Sequence, residues 1–155
     1  MSELVKYRYV FRGIIVSAVT TFVAFLITSI ISIFVGFFVL PGLFLFADAQ
    51  FSIGTVVGVV YFLKNRRKDQ SILLYGVIVG VIGGIGAAFI IAIYQWILVD
   101  FYWFVGSLIS GLISGLFVGL LIGVIVCIIY MYKEVKEESP KKKEEEDFFK
   151  DLLED

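Results

Sequence analysis

The chain of 155 residues contains no histidine, one cysteine and two prolines. Without histidine it lacks the commonest general base near neutral pH and the commonest metal ligand. A lone cysteine, Cys127, rules out an internal disulfide and a cysteine-cluster metal site. Set in an apolar run, it reads as a small packing residue. With prolines only at 41 and 140, the interval from Gly42 to Ser139 is free of the residue that breaks helices.

Charge is missing from long stretches. None lies in 13–40, 71–94 or 104–132, and 43–63 carries only Asp48. An intramembrane enzyme needs a base with a nucleophile, or metal ligands, and neither set can be assembled from these runs. A coupled transporter generally needs an ionisable group at mid-membrane depth, and these runs offer none. The serines within them, such as Ser29, Ser32, Ser110 and Ser114, have no activating partner and read as contacts between helices. The sequence therefore predicts a non-enzymatic protein with no cofactor and no metal.

What remains is strongly apolar: 60% of residues are hydrophobic and the mean hydropathy is +1.00, which excludes an ordinary soluble domain. All lysines and arginines fall in three clusters. Lys6, Arg8 and Arg12 precede the first apolar run. Lys64, Arg66, Arg67 and Lys68 separate the second from the third, and six lysines follow the fourth. The other two connections carry only Asp48 and Asp100. Basic and non-basic loops alternate, the positive-inside pattern of a helical membrane protein.

The pattern predicts four spans at about 13–40, 43–63, 71–94 and 104–132, forming one membrane domain (1–132), with both termini cytoplasmic in a cell membrane. The first run exceeds the roughly 20 residues a span needs, so it should tilt, protrude or break near Gly36 before Pro41-Gly42 turns the chain. Ala47-Asp48-Ala49 resembles a signal-peptidase site, but the apolar run before it is far longer than a signal core; the first run reads as a retained anchor. Trp96, Trp103, Tyr94 and Tyr102 map to the outer interface, and Tyr7, Tyr9, Tyr61, Tyr130 and Tyr132 to the inner one, as aromatic belts should. The basic clusters suit an anionic cytoplasmic leaflet; four charges held at a membrane are a poor nucleic-acid site.

The most regular motif is glycine at four-residue intervals. The fourth run has Gly111, Gly115, Gly119 and Gly123, flanked by Ser107 and Cys127; the third has Gly76, Gly80, Gly84 and Ala88; the second has Gly54 and Gly58. The first has a softer row, Thr20, Ala24, Thr28, Ser32 and Gly36. Residues four apart share a helix face, and lipid gives helices no hydrophobic reason to associate, so close backbone approach must supply one. The rows admit two uses: packing spans within one chain, or an outward face for a homo-oligomer, including one around a pore.

Two further groups are candidates. Asp48 and Asp100, with Gln50 and Gln95, belong to the outer interface, as a possible polar site or as hydrated loop carboxylates. In the tail, 133–155, Ser139-Pro140 reads as a helix start, and an amphipathic helix is predicted over about 141–154. Phe148, Phe149, Leu152 and Leu153 would lie on one of its faces among charges. That face could dock a cytoplasmic protein partner, fold back on the 64–68 loop, or remain solvated.

From Gly54 to Ala88 a glycine-bearing span, a short basic loop and Gly76-x-x-x-Gly80-x-x-Gly83-Gly84 follow one another. In this the chain resembles the small glycine-rich four-span membrane proteins of prokaryotes. The resemblance implies a topology and brings no substrate or catalytic residue. The expected fold is an all-α antiparallel four-helix transmembrane bundle with glycine-zipper packing and a short cytoplasmic amphipathic helix. The expected function is a scaffold or accessory subunit that recruits a cytoplasmic partner; the alternative is an oligomeric channel, holin-like pore or small permeation unit.

Overall fold

The computed structural model describes the backbone of residues 2–35, 43–67, 70–98 and 101–154, and the side chains of 7–31, 49–67, 70–97, 101–102 and 104–136. It is all-helical, with four helices: α1 (Ser2–Val35), α2 (Leu43–Asn65), α3 (Ile72–Leu98) and α4 (Phe101–Glu154). Glycine, valine and isoleucine dominate α3 and are middling to poor helix formers in water. In a hydrocarbon medium the choice is different, because a backbone that does not bond to itself is left unsatisfied. Three helices hold segments long and apolar enough to cross a membrane: Tyr7–Ile31, Ile72–Ile97 and Phe104–Lys136.

The packing order is α1–α2–α4–α3 around the bundle, with α2 and α3 also touching across it. Sequence neighbours α2 and α3 are therefore on the short diagonal, and α1 and α4 occupy the outer corners. Over an 18-residue apolar stretch of each helix, half of α3 is buried inside the protein, against 17% for α1 and 22% for α4, so α1 and α4 turn more of their surface outward. Phe22 and Phe25 pack on Tyr94, and Tyr7 on Tyr75, which sets α1 and α3 parallel. Gly80 meets Gly119 and Gly84 meets Gly115, which sets α3 and α4 antiparallel. The core lies in two clusters. One gathers Val10, Val59, Phe62, Leu63, Val79 and Cys127 towards the basic end; the other gathers Ala18, Phe51, Ala87, Ala88 and Ile91 towards the opposite end.

The first span, expected at about 13–40, belongs to a helix that reaches further: α1 starts at Ser2, because Ser2 to Arg12 contains no helix breaker and continues the same helix past the apolar run. The expected break near Gly36 lies outside the described residues. The tail is not a separate helix starting after Ser139-Pro140: α4 is assigned without interruption from Phe101 to Glu154, 54 residues. The fixed φ of proline is itself helical, so Pro140 removes one backbone hydrogen bond, to the carbonyl four residues earlier, and adds a local clash. That carbonyl belongs to Lys136, which is exposed, so water can take the freed acceptor.

The described residues on either side of the α2–α3 turn bond to one another. Gln70, 2% exposed, donates its backbone N–H to the Arg67 carbonyl (3.1 Å) and accepts the Arg67 N–H on Oε1 (3.2 Å). Ser71 then caps α3, its Oγ accepting the Leu74 N–H (3.4 Å), an N-cap contact to the third helical residue.

Candidate functional site

The glycine rows meet side on. A Cβ placed on Gly84 would lie 2.5 Å from the Gly115 carbonyl oxygen, and one on Gly80 2.5 Å from that of Gly119. From the other side, a Cβ on Gly115 would lie 2.8 Å from the Gly84 carbonyl carbon, and one on Gly119 2.6 Å from the Gly80 oxygen. No real Cβ fits at such distances, so α3 and α4 approach as bare backbone. The row continues outward through Gly111 against Ala88 (3.0 Å). On the basic side Gly123 faces Val77 (3.4 Å) and Gly76 faces the Cys127 side chain. Cys127 is fully buried there and its thiol donates to the Ile72 carbonyl (3.4 Å).

Gly54 and Gly58 face α1. A Cβ on Gly58 would meet the Gly13 carbonyl oxygen at 2.8 Å, and one on Gly54 the Ser17 carbonyl at 2.7 Å. The packing row of α1 is thus Gly13, Ser17 and Thr21, one position away from the expected Thr20–Ala24 row. Ser17 and Thr21 are fully buried, whereas Thr20 and Ala24 are only half-buried. The physical reason lies on α3: Gly83 admits the Ser17 side chain, so α1 turns that face inward to touch α2 and α3 at once. Gly13-x-x-x-Ser17-x-x-x-Thr21 was the available signal, hidden because Gly13 sits at the edge of the apolar run.

The candidate outer polar site is not assembled from its described members. Gln50, 6% exposed, donates to Thr28 Oγ1 between α2 and α1; Gln95 accepts from Ser107 Oγ between α3 and α4. Each glutamine bridges a different helix pair. The side chains of Asp48 and Asp100 lie outside the described residues, as do those of Phe148, Phe149, Leu152 and Leu153. Around the pairs, Trp96, Phe101 and Phe104 form a mutual aromatic cluster with centroids 5.6–5.9 Å apart.

At the basic end an ion pair links Arg66, the first residue after α2, to Glu134 of α4, 68 positions away, which spacing alone did not indicate. Arg66 gives Nη2 to both carboxylate oxygens of Glu134 at 2.8 Å, and Nη1 reaches the Gln70 carbonyl (3.4 Å). The two side chains are 10% and 42% exposed. Arg66 therefore faces protein rather than headgroups.

Between the two ends no described side chain is charged, and among the described residues no group of three His, Cys, Asp or Glu lies close enough to hold a metal. Among the described residues, the buried polar atoms without a partner are Ser17 Oγ, Thr55 Oγ1 and Arg66 Nε. The hydroxyls are wedged among glycines and are not aligned with a base.

No family model, no curated protein and no solved structure matches the chain.

Proposed function

We propose that this chain is a four-span scaffold or accessory subunit of a membrane, with α2 as the fourth span, glycine-zipper packing inside the subunit and both termini cytoplasmic. Its α4 extension is the element that recruits a cytoplasmic partner. The observation that carries this reading is the continuity of α4: helix persists from Lys136 to Glu154, roughly 27 Å beyond the apolar segment at 1.5 Å per residue. The sequence places Phe148, Phe149, Leu152 and Leu153 at helical spacing near the end of this extension.

The pore alternative relies on glycine faces free to make an oligomer. The glycines of the three predicted rows point at neighbouring helices of the same chain, which favours the scaffold reading over a glycine-built pore. The lack of charge among the described side chains between the two ends likewise supports a role that depends on surfaces rather than on chemistry.

The test is affinity purification from native membranes in mild detergent. The full chain is compared with a chain ending at Ser139 and with Phe148, Phe149, Leu152 and Leu153 all changed to alanine. A protein recovered with the full chain alone supports recruitment through the tail. Identical recovery from all three chains refutes it.

A further inference from the structure

Among the described side chains the bundle holds one acid, Glu134, against Arg8, Arg12, Lys64, Arg66, Arg67, Lys133 and Lys136. That acid is taken: both its oxygens bond Arg66. Arg8 and Arg12 stand apart from this network. Both are exposed, one helical turn apart on one face (about 6 Å along the axis), and neither has a hydrogen bond or ion pair among the described residues.

Their position is specific. Gly13, the residue after Arg12, packs on Phe62 and Gly58 of α2, within about a turn of Lys64, where α2 leaves its apolar stretch. The arginines therefore sit at the edge of the hydrocarbon layer. The face they occupy continues inward as Ile15, Val19, Val23 and Ile27, which are 45%, 50%, 46% and 53% exposed. One stripe thus carries an apolar strip and, at its end, two exposed guanidiniums. An arginine can lay its stem on an apolar surface with its head in the interface. Its planar fork also matches phosphate oxygens in pairs.

We propose that this stripe is a seat for one anionic phospholipid, its phosphate held between Arg8 and Arg12 and an acyl chain lying along Ile15 to Ile27. A lipid fits better than a free anion because chain and headgroup are recognised by the same continuous face. The inference rests on the membrane reading above and adds a bound ligand to it.

The full chain is placed in nanodiscs of equal phosphatidylglycerol and phosphatidylcholine, and the lipid retained after release is measured by native mass spectrometry. Wild type should retain phosphatidylglycerol with roughly 30-fold preference, from about a fivefold factor per arginine near the surface. R8Q/R12Q should lose that preference, and K64Q/R67Q should keep it. Equal retention of the two lipids by wild type would overturn the proposal, and this arm needs no variant to fold. An unchanged preference in R8Q/R12Q, or the same loss in both double variants, would also overturn it, the latter by showing only diffuse charge. Displacement of the retained lipid by millimolar inorganic phosphate would point to a plain anion site and refute the lipid seat. Release of the chain from membranes by carbonate would defeat the membrane reading itself. A chain that stays in the membrane without lipid preference defeats only the seat.

Discussion

Alanine at Gly84 pits two effects of known size against each other. Alanine is the better helix former by about 1 kcal/mol, so a glycine facing open lipid should gain stability on substitution. At Gly84 the new Cβ would lie 2.5 Å from the Gly115 oxygen and 2.9 Å from its Cα. Ordinary contact begins near 3.4 Å, so α3 and α4 must separate by up to about 0.9 Å or bend, and overpacking of this kind costs roughly 1–3 kcal/mol. Gly106 supplies the control, since its Cβ position has nothing within 4 Å. The propensity gain is common to both, so the difference between G84A and G106A isolates the packing cost. G84A should be less stable than G106A by about 1–3 kcal/mol in reversible detergent unfolding followed by circular dichroism. Adding G115A to G84A should cost less than the sum of the single changes, because the helices have already moved apart. A G84A protein as stable as G106A would refute the inference that bare backbone contact holds α3 to α4.

Two further outcomes follow from buried polar groups. Thr55 is fully buried and its hydroxyl has no partner, so T55V, which keeps the shape, should raise stability by about 1 kcal/mol; a loss of that size in the same unfolding assay would mean that the hydroxyl is bonded. E134A leaves the nine-tenths-buried Arg66 without its counter-charge. Because Glu134 is 42% exposed, the cost should be about 1–2 kcal/mol, short of a fully buried pair. The swap R66E/E134R should recover part of it; thermal unfolding that does not distinguish E134A from wild type would remove the pair from the account.

The helical segments were legible because their cause is local. A long apolar run without proline favours a backbone that bonds to itself, and α2 (Leu43–Asn65) and α3 (Ile72–Leu98) are helices over such runs. The glycine rows were legible for a related reason: a four-residue repeat on a helix is a face whatever that face meets. The two misplacements have equally specific causes. Ser139-Pro140 looked like a boundary because proline marks helix starts in isolation, yet its φ is compatible with a helix already under way. The α1 face was assigned one residue off because only the fit of Ser17 into Gly83 selects it, and that contact joins residues 66 positions apart.

The sequence by itself determined that the chain is helical, that its basic groups stay out of the apolar runs, and which faces of α2, α3 and α4 are bare. These properties belong to single segments and follow from hydropathy, backbone hydrogen bonding and the period of the helix. Only the tertiary structure decided which bare face meets which. It set α2 and α3, not α1 and α4, across the short diagonal, and it sent Gln50 and Gln95 to different partners. It also drew Arg66 inward to Glu134 and left Arg8 and Arg12 facing out. Such choices depend on distances between residues far apart in sequence, and a periodicity along one helix cannot encode the neighbour it will touch.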